Sequence, residues 1–148
     1  MHAPLIELTD APDPADVAAI RAGLNEYNLA ASGIEDQRPL AVLVRDPDTQ
    51  QVVGGITGRT SRGMFFLEVF FLPESLRGSG IGSEALKQAE REGWRRGCTA
   101  ALLHTNTYQA PEFYRKHGWR EIASIPSGPA GNCRIIFTKQ LSGDDNAG

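Results

Sequence analysis

Two cysteines and three histidines are all that this 148-residue chain offers to metal or disulfide chemistry. Cys98 and Cys133 stand in apolar surroundings, without C-x-x-C spacing and without a histidine cluster. That pattern excludes a disulfide framework or a zinc site as the basis of the fold, and both read as buried thiols in a reducing compartment. No run approaches the roughly 20 apolar residues of a membrane-spanning helix. The start, Met1-His2-Ala3-Pro4-Leu5, lacks the basic and then hydrophobic leader of a secreted protein, so a cytoplasmic protein is expected. Charge of one sign is missing too. A formal net charge of -3 supplies no attraction toward nucleic acid or an anionic membrane. Repeats, low-complexity segments and interdomain linkers are also absent. Residues 1–141 therefore read as a single domain and 142–148 as a polar, disordered tail.

What is there centres on one stretch, from Phe65 to Ser83. Phe65-Phe66-Leu67-Glu68-Val69-Phe70-Phe71-Leu72 is an apolar run broken by one acid, which predicts a strand buried on both faces. Pro73 ends it. Arg77-Gly78-Ser79-Gly80-Ile81-Gly82 follows as a glycine-rich turn, whose residues can adopt positive φ and let backbone N–H groups converge. A helix starting at about Gly80 or Ile81 adds its free N–H groups and positive dipole end. Strand, turn and helix start together make an anion site, suited to phosphate or pyrophosphate.

Elsewhere the spacing predicts further strands at Leu5–Leu8, Leu40–Val44, Gln51–Gly58, Thr99–His104, Trp119–Ser124 and Cys133–Lys139. Val17, Ile20, Leu24, Tyr27 and Ala31 recur at helical spacing, so Ala15–Ala31 is a helix closed by Ser32-Gly33. Ile81–Arg95 is a second, presenting Ala85, Leu86, Ala89 and Gly93 on one small-residue face, and Ala110–His117 a short third. Three successive strands with short links read as an antiparallel meander; the strand after the second helix then lies parallel to the Phe-rich one. The expected fold is mixed α/β: a central twisted, mostly antiparallel sheet of about seven strands with flanking helices. Ile34–Pro39 is a polar loop.

Arg77, Gly80 and Gly82 match the Arg/Gln-x-x-Gly-x-Gly/Ala signature of the GNAT acetyltransferase family, and Phe113-Tyr114-Arg115-Lys116-His117-Gly118-Trp119 resembles its later Phe-Tyr-x-Lys-x-Gly-Phe motif. Element order agrees over about residues 5–141, except that a loop replaces the family's usual second helix. Tyr27-Asn28, Gly54-Gly55 and Gln109-Ala110-Pro111 are similar to small bacterial members of unassigned substrate. The resemblance implies a GNAT fold that binds acetyl-CoA. Arg77, Gly78, Ser79, Gly80, Ile81, Gly82 and Ser83 would hold its pyrophosphate, and the backbones of Phe70 and Leu72 its pantetheine. Near Ala110 many family members carry an asparagine that contacts the coenzyme; this chain has Thr107 there, beside Asn106.

Acetyl transfer from a thioester needs an amine that loses a proton, a held carbonyl and a protonated leaving thiolate. Glu68 is the base or substrate-contact candidate, as the only charge between Met64 and Pro73; its alternative role is pairing with Arg59, Arg62 or Arg120. Tyr114 matches the family tyrosine that protonates the thiolate, and packing against the sheet is its alternative. Tyr27 and Asn28 face either the acceptor or, for Tyr27, the helix's buried stripe. His104 and His117 read as hydrogen-bonded structural histidines, Trp94 and Trp119 as core or interface. The implied activity is N-acetylation of a small-molecule primary amine by direct transfer from acetyl-CoA. A peptide or protein amine is the alternative acceptor, and a non-catalytic acyl-CoA-binding module the alternative class. A nucleotide site fits less well, because the loop has neither Lys-Ser/Thr nor Gly-x-Gly-x-x-Gly. Strand edges permit a monomer or a homodimer.

Overall fold

The computed structural model describes residues 2–143. They fall into two compact units, Met1–Glu35 and Asp36–Gly148. The first contains α1, Pro14–Ser32. Asp13 caps it, its carboxylate accepting from the Ala15 N–H at 2.8 Å, and Pro14 opens the first turn where no N–H is needed. Gly33 closes it with φ 74°. Leu5–Leu8 is irregular and pairs with no strand, contrary to expectation. Three apolar residues in four favour an extended backbone, but only a ladder makes a strand.

The second unit holds one six-stranded sheet in the order β1-β2-β3-β4-β6-β5. Its strands are β1 Arg38–Arg45, β2 Val52–Ser61, β3 Met64–Phe71, β4 Ala100–Asn106, β5 Arg120–Ser127 and β6 Asn132–Gln140. α2 is Ile81–Arg95 and α3 Pro111–Lys116. β1, β2 and β3 form the antiparallel meander, and β3 and β4 are the parallel pair. Ile34–Gln37 is a loop, so no helix stands between α1 and β1. Of the tail, residues 144–148 lie outside the described residues.

Two irregularities in β3 shape the site. Thr57 pairs with Val69 but Gly58 pairs with Leu67, so Glu68 is an extra residue, a β-bulge. The bulge reverses the alternation. Phe65 and Leu67 are buried before it, whereas Phe70 packs on the core after it and Val69 and Phe71 are exposed. Gly58 makes this register possible, because a Cβ there would lie 2.1 Å from the Phe66 carbonyl oxygen. The parallel ladder, in turn, covers only Met64–Phe66 against Ala100–Leu102. Beyond it β4 continues against β6, through Asn106↔Arg134, and β3 and β4 part.

α2 lays Ala85, Leu86, Ala89 and Gly93 on the sheet as its spacing predicts. It also buries Glu90, whose Oε1 lies 2.5 Å from Lys139 Nζ on β6; the Trp119 indole N–H points at Oε2 from 3.4 Å. Trp119 is core, while Trp94 is largely exposed. Cys98 is buried, which pushes its thiol pKa up, but Cys133 is only half-buried; both are free thiols.

Candidate active site

Two cavities are lined in part by β3, one from Phe70 onward and the other from Phe66 to Glu68, where β3 and β4 part. The first encloses about 410 Å³. Phe70 from β3, Leu72 just after it, Gly78 and Gly80 from the turn, Gly82 and Ser83 from α2, and Tyr114 from α3 line it together with Arg77. The sequence-predicted coenzyme residues are thus brought to one place. Gly80 takes φ 88° as the residue before α2, with nothing within 4 Å of the position a Cβ would occupy; Gly78 is equally open. The helix's first intrahelical donor is the Glu84 N–H, to Gly80 O at 3.1 Å. The N–H groups of Ile81, Gly82 and Ser83 are therefore left over by the helix, at its positive end. Arg77 and Lys116 add charge, and no carboxylate stands among the lining residues described. Backbone donors, open glycines and two cations suit a pyrophosphate.

Not every expected residue reaches this cavity. Ser79 and Ile81 belong to the loop without lining it, and the Ser79 hydroxyl turns back to donate to Leu76 O. Thr107 and Ala110 do not line this cavity either. Thr107 is consumed by β6, its N–H donating to Asn132 Oδ1 and its hydroxyl accepting from the Cys133 N–H at 2.9 Å. Ala110 precedes α3 and its carbonyl accepts from Phe113 N–H. Tyr27 and Asn28 lie on α1, in the first unit.

Three lining residues went unassigned in the sequence: Phe113, Lys116 and His117. The i,i+4 spacing of Phe113 and His117 was the available signal, since it puts both on one side of a helical turn. His117 is hydrogen-bonded, as expected of it. Its Nδ1 donates to Phe113 O at 2.8 Å and its Nε2 meets Ser83 Oγ at 2.9 Å.

Tyr114 is 8% exposed, packed among Phe70, Phe113, Trp119 and Phe137. Burial pushes its phenol pKa up to about 12. It keeps its proton at any physiological pH, which makes it a donor and never a base.

The second cavity, about 290 Å³, holds Glu68 and Arg59 among Phe66, Leu67, Leu102 and Ile136. The bulge that makes Glu68 the extra residue also exposes it. Its side chain is 47% exposed and ion-paired with Arg59, whose guanidinium lies 4.3 Å from the centre of the Phe66 ring. The buried, unpaired carboxylate that would have marked a base is therefore not found, and the alternative pairing is present, with Arg59. His104 lines the same cavity and accepts at Nδ1 from Arg134 Nη1 at 3.2 Å. Among the described residues no group of three or more metal-ligating side chains is assembled.

The model of the acetyltransferase (GNAT) family matches residues 6–119. The acetyltransferase Atu2258 of Agrobacterium fabrum is 38% identical over 129 residues, 87% of this chain and 92% of that protein. Blasticidin-S acetyltransferase of Streptomyces morookaense is 28% identical over 116 residues, 76% and 85% of the two chains. An Agrobacterium tumefaciens crystal structure assigned as an acetyltransferase superposes with a TM-score of 0.86 at 34% identity, covering 93% of this chain and 100% of that one.

Proposed function

The chain belongs to the GNAT acetyltransferase family, and from that membership we propose that it moves the acetyl group of acetyl-CoA to the primary amine of a small molecule. The single observation that carries this reading is the pair of cavities along β3, one suited to an anion beside Tyr114 and a second one at Glu68. A relative named for acetylating blasticidin S supports a small acceptor. The family match runs from residue 6 to 119, across both compact units, which supports one domain over 1–141.

Acetyl-CoA, the co-substrate of this family, supplies an acyl group already activated as a thioester. The chain's own residues then have three tasks. The turn Arg77–Ser83 binds the pyrophosphate through backbone N–H groups and the Arg77 and Lys116 charges, while Phe70 and Leu72 wall the pantetheine path. Glu68 receives the acceptor's ammonium group and takes its proton, directly or through water. Tyr114, held as a neutral phenol, gives its proton to the departing thiolate. Holding both reactants in place supplies much of the rate, and no covalent enzyme intermediate is needed.

The test is a thermal-shift titration followed by thiol-release assays. A ligand that binds the folded state raises stability by RT ln(1 + [L]/Kd). Acetyl-CoA and CoA are expected to raise the melting temperature while ATP and NAD do not, and a small amine is expected to release CoA thiol. Acetylation confined to peptide or protein amines would overturn the small-molecule acceptor.

A further inference from the structure

The side chains at the second cavity are richer than deprotonating an amine requires. Arg59 meets Glu68 through Nη1 and Oε1 alone, so among the described residues its other N–H groups and Glu68 Oε2 have no hydrogen-bond partner. Of the five donors an arginine carries, only one is thereby used. His104 adds another donor. Arg134 can only donate, so the Nδ1 it reaches must carry a lone pair, and the neutral ring's proton sits on Nε2. His104 is thus a hydrogen-bond donor in this cavity and not a base. With Arg134 behind it, the cluster holds two guanidinium groups against one carboxylate.

A simple alkylammonium would bring a third cation to that cluster. It would also compete with Arg59 for Glu68 while leaving the spare donors unanswered. A molecule with both an ammonium and a carboxylate answers every group. Its ammonium meets Glu68, and its planar carboxylate takes the fork of Arg59 and the N–H of His104, while apolar atoms rest on Leu102 and Ile136. We propose that the acceptor is an amino carboxylate, selected through its carboxylate by Arg59 and His104. This rests on the reading of the second cavity as the acceptor side of an amine acetyltransferase.

Thiol release from acetyl-CoA should be compared for L-leucine, L-leucinamide and isopentylamine, which share one side chain and differ at the carboxylate. At least about tenfold higher kcat/KM for leucine is expected, the size of one charge-assisted hydrogen bond. Arg59→Gln should bring the three within about twofold of one another, and Arg59→Lys should keep part of the preference. A retained acetyl-CoA thermal shift establishes that each variant is folded. Equal or better turnover of isopentylamine by the unaltered chain would overturn the carboxylate proposal and leave the amine acetyltransferase standing. So would turnover of other amines with none of these three. Failure of every amine would bring down the parent reading instead.

Discussion

The imidazole of His117, just past the end of α3, braces the hydroxyl of Ser83 in the first turn of α2, with Nε2 2.9 Å from Oγ. Its other nitrogen donates to a carbonyl, Phe113 O, which fixes the proton on Nδ1. In the neutral ring Nε2 therefore accepts the serine's proton. The bond ties two walls of the cavity beside Tyr114 together across residues 34 positions apart.

His117→Ala should accordingly loosen the cavity without unfolding the chain. A rise of about three- to tenfold in the CoA dissociation constant is expected, the worth of one hydrogen bond and some wall contact. Calorimetric titration measures it. An unchanged constant would mean that the brace does not organise the coenzyme site.

Tyr114→Phe removes the proposed proton donor and keeps the ring packing. Turnover should fall by about 10²-fold, with CoA affinity nearly unchanged. The phenol also predicts an alkaline effect of definite sign. Below about pH 10 the folded and unfolded chains both hold this proton, so it adds no pH dependence. Between about 10 and the folded value of about 12 only the folded chain holds it, so stability falls as pH rises. That loss, roughly 2–3 kcal/mol over the window, should be missing from the variant in urea melts at stepped pH.

Gly80→Val places a β-branched residue at φ 88°. The strain of a left-handed conformation is about 1–2 kcal/mol. The new side chain also enters the open space that faces the anion. Both a lower melting temperature and loss of the acetyl-CoA thermal shift are expected. A shift that survives would place the pyrophosphate elsewhere.

Lys139→Met strands the buried carboxylate of Glu90, with only the long contact to the Trp119 indole left. One-sided removal of a buried ion pair costs about 3–5 kcal/mol, a fall of roughly 10 °C for a chain of this size. It also removes the bond from Lys139 Nζ to His117 O, 2.8 Å, which fixes the end of α3. Adding Glu90→Leu should restore much of the stability, since an apolar pair replaces the stranded charge. Thermal melts of the single and double variants decide it.

Much of this was legible in the residues. The helix Ile81–Arg95 was visible to the residue, because its small-residue face and flanking glycines are local signals. The glycine turn between Arg77 and Gly82 was legible for the same reason. Leu5–Leu8 misled because apolar composition speaks for an extended backbone but not for a pairing partner. The exposure of Glu68 was not legible, because an unbroken apolar run does not show where a bulge will reverse its faces.

The sequence by itself thus determined the order of elements from α1 onward, the meander, the parallel crossover and the glycine turn, all of which follow from residues near one another in the chain. Only the tertiary structure decided that Glu68 pairs with Arg59, that Ser83 meets His117, and that Glu90 lies buried against Lys139. Each of these joins separate elements. Their existence depends on strand register and on where β3 and β4 part, and hydrophobic periodicity carries no record of either.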